Sequence, residues 1–173
     1  MRAGSSSLSR AALATDAAEL RAELPRLDRA VDELALVRPL GSEGSTLDAP
    51  QRVQLYAASA LLDTFYTAVE RVLERVARTF GTVPVGPTGH TELLVHAGLE
   101  VRAVRPRILS DASVSALKRY LAFRHRFRHL YLYDLHVEPV VPLTEDAPRV
   151  WAHVRDELAA FADALDELAD TLP

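Results

Sequence analysis

Apolar residues recur through most of this chain at every third or fourth position, the spacing that puts side chains on one face of an α-helix. Leu20, Leu24, Leu27, Val31 and Leu34 keep this rhythm and predict a helix from about Asp16 to Val37. Thr15 stands in its N-cap position, and Pro25 is expected to kink it or delay its start. Leu55, Ala58, Leu62, Phe65, Val69, Val72 and Val76 predict the longest helix, from about Gln51 to Phe80, with Asp48 as cap and Pro50 in the first turn. A third helix is expected from about His90 to Val101 and a fourth from about Ala112 to Leu135, with Asp111 as its cap. A fifth is expected from about Pro148 to Leu172, where Trp151, Val154, Leu158, Phe161, Leu165 and Leu168 form one stripe.

Between these runs lie segments rich in Gly, Pro and Ser: RPLGSEGSTLDAP at 38–50, GTVPVGPTG at 81–89, RPRILSDAS and HVEPVVPLTEDAP. Runs of alternating β-branched residues are almost absent. The pattern therefore specifies an all-α fold, an antiparallel bundle of about five helices joined by short loops. A chain of 173 residues suits one domain, placed at 14–173 behind a flexible polar tail at 1–13.

Composition narrows the chemistry. There is no cysteine, so disulfides, thiolate zinc sites and thiol nucleophiles are excluded. No apolar run approaches the roughly 18–20 residues of a membrane span. The start, MRAGSSSLSRAALAT, lacks a signal peptide's apolar segment, so a cytoplasmic protein without membrane contact is expected. A net charge of −4 rules out a globally basic nucleic-acid binder. Locally the balance reverses. Arg102, Arg105, Arg107, Lys118, Arg119, Arg124, Arg126 and Arg128 stand against only Asp111, and they lead into RHRFRHLY at 124–131.

On an ideal helix, at about 100° per residue, Arg128 and Tyr131 share a stripe with Arg124, while His125 and His129 fall on the neighbouring one with Lys118. Phe123, Phe127 and Leu130 turn toward the core. Arg124 and His129 are then about 140° apart, too far to grip one phosphate from a single straight helix. Either the helix distorts or a second subunit completes the site. Plainer readings compete: the arginines can form a solvated face, and His125 and His129 have the spacing of a helical zinc pair, though without an HExxH pattern or cysteine.

FRHRFRHLY, at 123–131, also carries the order Arg, four residues, His, one residue, Tyr, as Arg124, His129 and Tyr131, with the polar His125 directly after the arginine. This resembles the signature of HEPN-domain ribonucleases, specifically the HepT-type toxins of toxin–antitoxin pairs whose antitoxin is a minimal nucleotidyltransferase. LLDTFYTAVERVLERVARTFG at 61–81, the following VPVGPTGHTELL, and RPRILSD at 105–111 are similar to the matching HepT segments, so the resemblance covers roughly 51–143. It implies a HEPN-like bundle that dimerises and joins two copies of the motif along a cleft. It also implies cleavage of RNA with no metal and no cofactor. Arg124 and His129 take the family's catalytic positions, His125 its polar position, and Tyr131 that of the tyrosine to which the antitoxin adds AMP.

The residue types suit this chemistry. RNA supplies its own nucleophile, the 2′-hydroxyl, so the enzyme must move protons and stabilise a crowded phosphate. Imidazole, with an ordinary pKa near 6.5, exchanges protons near neutrality, and guanidinium matches phosphate oxygens. His125 stands in position to share or replace the role of His129, so the base assignment stays open between them. Lys118, Arg119, Arg126 and Arg128 are candidates for holding the RNA backbone. The alternatives are a non-catalytic HEPN module that binds a nucleotidyltransferase or a nucleotide, and a generic bundle with an arginine-rich interface.

Overall fold

The computed structural model describes residues 8–37, 47–129 and 136–172. In chain order its helices are α1 (Arg10–Leu36), α2 (Ala49–Thr79), α3 (Gly89–Ala97), α4 (Asp111–Phe127) and α5 (Val140–Thr171). The β pairing among the described residues is one isolated bridge, Val101 with Arg105. No helix among them is long and apolar enough to cross a membrane.

Two helices begin earlier than their periodicity indicates. α1 is capped by Ser9, whose hydroxyl accepts the Ala12 N–H at 3.2 Å. Leu13 and Ala17 then extend the apolar stripe and are fully buried, so residues 10–13 belong to the bundle and not to a tail. The helix runs through Pro25. An interior proline costs about 3 kcal/mol or more. Burying Leu20, Leu24, Leu27, Val31 and Leu34 around it, at about 1.5–3 kcal/mol for each such side chain, outweighs that cost. α5 likewise begins at Val140, well before Pro148, because Val140, Leu143 and Ala147 add a buried turn ahead of it.

α1 and α5 pack antiparallel, as their contacts show. Arg10 donates to Ala169 O, Arg21 pairs with Asp163 and Asp166, and Asp28 accepts from Trp151 Nε1 at 2.7 Å and from Arg155 Nε at 3.0 Å. α2 crosses the centre. Its Phe65 meets the rings of Tyr120 on α4 and Trp151 on α5 edge-on, at 5.3 and 6.1 Å between centroids. Tyr120 donates its hydroxyl to Leu143 O, fastening α4 to α5.

α2 stops where Gly81 takes φ 66, a left-handed conformation that glycine adopts without strain. The Gly81 N–H then donates to Arg78 O and the Thr82 N–H to Ala77 O, satisfying the last carbonyls of the helix. The chain returns into α3, which ends at Ala97, short of the expected Val101. Arg105 accounts for that end. It is buried, and its guanidinium donates to the carbonyls of His96, Leu99 and Pro106. Burial pushes its pKa down. This arginine of the basic block is a brace for the α3–α4 connection.

Candidate functional site

α4 is capped by Ser110, not Asp111: the Ser110 hydroxyl accepts the Ser113 N–H at 3.2 Å. It buries Val114, Leu117, Tyr120, Leu121 and Phe123. The helix closes at Phe127, earlier than the expected Leu135. Arg128 N–H still reaches Arg124 O, but His129 N–H turns back to Arg126 O, three residues away. The backbone is therefore already leaving α-geometry within the motif, one of the two ways round the angular conflict between Arg124 and His129. Phe123 and Phe127 stack at 5.6 Å and anchor this last turn. Leu130, Tyr131 and Tyr133 lie outside the described residues.

Arg124 is not a solvated phosphate clamp. Its side chain is only 8% exposed and lies between two carboxylates of α2. Nη1 donates to Glu70 Oε2 at 2.6 Å, Nε lies 3.3 Å from Asp63 Oδ1, and the guanidinium carbon sits 5.8 Å from the centre of the Tyr66 ring. Nη2 has no hydrogen-bond partner among the described residues. The cause lies in α2, where Asp63, Tyr66 and Glu70, spaced three and then four apart, share a flank of the helix. Burial, and after it the Glu70 carboxylate, push the Tyr66 phenol well above its ordinary pKa, so it stays neutral beneath the guanidinium.

Glu70 is itself buried and spends its second oxygen on another element. Oε1 lies 2.7 Å from Nδ1 of His90, on the first turn of α3. The His90 ring stands 5.9 Å from the His125 ring, at 69°. One network thus joins Asp63, Arg124, Glu70, His90 and His125 across three helices. Its α2 and α3 members escaped the sequence reading. A signal was present: two acids at the border of the apolar arc of α2 mark a buried ion pair, although nothing local names their partner.

The other candidates are scattered. His125 and His129 are exposed, as are Lys118 and Arg126, which form no ion pair among the described residues. Arg128 is exposed and reaches Asp63 Oδ1 at 3.7 Å. Arg119, expected to meet RNA, instead ties α4 to α5 by donating to Asp146 Oδ2 at 2.8 Å, while Arg149 takes Oδ1. Burial alone raises the Asp146 pKa. The hydrogen bond from Arg149, then that from Arg119, overrule it and hold the carboxyl below its ordinary 3.8. Such a group contributes stability in full above its unfolded-state pKa and loses it as pH falls through the lower folded value. Asp146→Asn is therefore expected to flatten the acid limb of a melting-temperature profile below about pH 4.

Glu70, Glu74 and His90 also offer ligand atoms within 4.8 Å of one another, a spacing a metal ion can use. Here the Arg124 cation and the His90 ring already occupy the two oxygens of Glu70, so a second cation would have to displace them.

A family model described as HepT-like protein matches residues 57–165, from early α2 to the last third of α5. The chain belongs to the HepT-like family. No curated protein and no solved structure gives a match. The matched span holds every member of the network around Arg124, while α1 lies outside it.

Proposed function

We propose that this HepT-like chain is a metal-independent endoribonuclease toxin, acting as a homodimer in the cytoplasm. The observation that carries the reading is Arg124, the first residue of the Arg–x4–His–x–Tyr motif. It is fixed on two sides by Asp63 and Glu70, in the same turn as exposed His125 and just over one turn before exposed His129. A guanidinium held this way is a preorganised positive charge, and its Nη2 is left for a phosphate oxygen.

In the reaction an imidazole accepts the 2′-hydroxyl proton, the 2′-oxygen attacks the adjacent phosphorus, and the bond to the 5′-oxygen breaks. The leaving oxygen takes a proton from an imidazolium. The products are a 2′,3′-cyclic phosphate and a 5′-hydroxyl, and no water is consumed. His129 and His125 are the motif's proton carriers, and Lys118, Arg126 and Arg128 hold backbone phosphates. The toxin is neutralised when a minimal nucleotidyltransferase antitoxin adds AMP to Tyr131, with one residue between it and His129. The new anion then occupies the substrate phosphate's place.

One observation favours a second reading, a non-catalytic HEPN module that docks a nucleotidyltransferase: the charge of Arg124 is matched by two carboxylates and nearly sealed from solvent. Purified, unmodified wild type, His125→Ala and His129→Ala, each incubated with single-stranded RNA and EDTA, separate the two. The ribonuclease cleaves, and replacing the motif histidine that carries the proton lowers the rate about 10²–10⁴-fold. Folded wild type that leaves RNA intact overturns the reading in favour of the docking module.

A further inference from the structure

We propose that His90, outside the motif, is a catalytic residue of this ribonuclease: the acceptor of the 2′-hydroxyl proton, oriented by Glu70. The inference rests on the ribonuclease reading and goes beyond it, because the motif's own histidines then serve the leaving group.

Cleavage by the 2′-oxygen needs two proton carriers, one that removes a proton from the nucleophile and one that returns a proton to the departing 5′-oxygen. The motif offers His125 and His129 on one short segment, the last turn of α4 and the two residues after it. His90 comes from a different helix, and its ring stands 5.9 Å from that of His125. Imidazoles arriving from two elements can flank a phosphodiester from two sides, as two on one short segment do less readily.

The surroundings of His90 are those of a base and not of a chance surface residue. Its Nδ1 lies 2.7 Å from Glu70 Oε1, so the ring donates its Nδ1 proton to a carboxylate. That fixes the ring's orientation and leaves the Nε2 lone pair as acceptor. Glu70 is 5% exposed and is held in place by Arg124 at 2.6 Å. The ring itself is 44% exposed, so its free edge is open to a substrate. The groups beside it are Glu70 and Glu74 from α2 and His125 from α4, while Arg124 bonds the other oxygen of Glu70. Buried guanidinium, buried carboxylate and half-exposed imidazole thus form a relay of orientation, which gives the burial of Arg124 a catalytic meaning. In the cleavage step the 2′-hydroxyl proton passes to His90 Nε2, the 2′-oxygen bonds to phosphorus, and the 5′-oxygen leaves with a proton from the motif histidine.

Full-length wild type, His90→Ala, His90→Gln and His129→Ala should be compared on one single-stranded RNA in EDTA, with thermal melts alongside. Gln keeps an N–H donor for Glu70 but cannot carry a proton. Both His90 variants are expected to melt near wild type and to lose about 10²-fold or more in cleavage rate. Added imidazole should restore part of the loss in His90→Ala. If His90→Gln cleaves within a few-fold of wild type while His129→Ala is inactive, His90 is a structural partner of Glu70 alone and the ribonuclease reading stands without it. Wild type that cleaves only after a divalent cation is restored makes Glu70, Glu74 and His90 a ligand set and overturns the proton-acceptor role. Inert wild type overturns the ribonuclease reading, and this inference with it.

Discussion

Arg124→Met is expected to abolish RNA cleavage and to lower folding stability by about 3–5 kcal/mol, the typical result of removing one partner of a buried ion pair. Glu70 would remain buried between α2 and α4 with its strongest partner gone. It would keep only the His90 contact, and Asp63 would lose its closer cation. Adding Glu70→Leu removes the stranded charge and should recover much of the stability, because well-packed apolar residues often replace a buried pair at little cost. Cleavage should not return in the double variant, since neither the phosphate contact nor the carboxylate behind His90 is restored. Urea denaturation measures the first effect, and an RNA cleavage assay on the same preparations measures the second. Equal stability of the Arg124→Met and Arg124→Met/Glu70→Leu variants would show that the pair carries no such strain.

Phe65→Ala should be nearly as damaging without touching the motif. Phe65 is fully buried on α2, where it joins the rings of Tyr120 and Trp151 and so holds three helices at one point. Truncating a buried phenylalanine costs about 3–5 kcal/mol through lost transfer energy and the cavity left behind. At roughly 2–4 °C per kcal/mol for a chain of this size, the melting temperature should fall by about 10 °C. Activity should also decline below the melt, because Glu70 follows Phe65 on the same helix and depends on the α2–α4 seam for its reach to Arg124. A scanning calorimetry trace unchanged from wild type would contradict the packing described.

Much of this architecture is readable from the chain itself. The five helices follow from apolar periodicity, and their interiors are set where Leu, Val, Phe and Trp recur on one stripe. Boundaries fared less well, each for a definite reason. Ser9 caps α1 before the obvious periodicity begins, and buried Val140 and Leu143 carry α5 back past Pro148, a residue that by its type marks a helix start. The α4 motif stood out through its density of cations, and its family resemblance agrees with the HepT-like match over 57–165.

What periodicity determines is which face a side chain occupies, and from residue types alone the chain also declares which positions can carry charge or protons. It does not determine which distant face comes opposite. Glu70 and Arg124 are 54 residues apart, and Glu70 and His90 are 20 apart. Their meeting depends on the packing of α2 on α4 and on the Gly81 turn that leads into α3. Only the tertiary structure therefore showed the motif arginine to be buried and doubly paired, moved Arg119 onto Asp146, and brought a histidine of no evident role up to the motif. The physical reason is that helix formation is decided by residues three and four apart, whereas an ion pair in a core is decided by whatever the packing of whole helices leaves within about 3 Å.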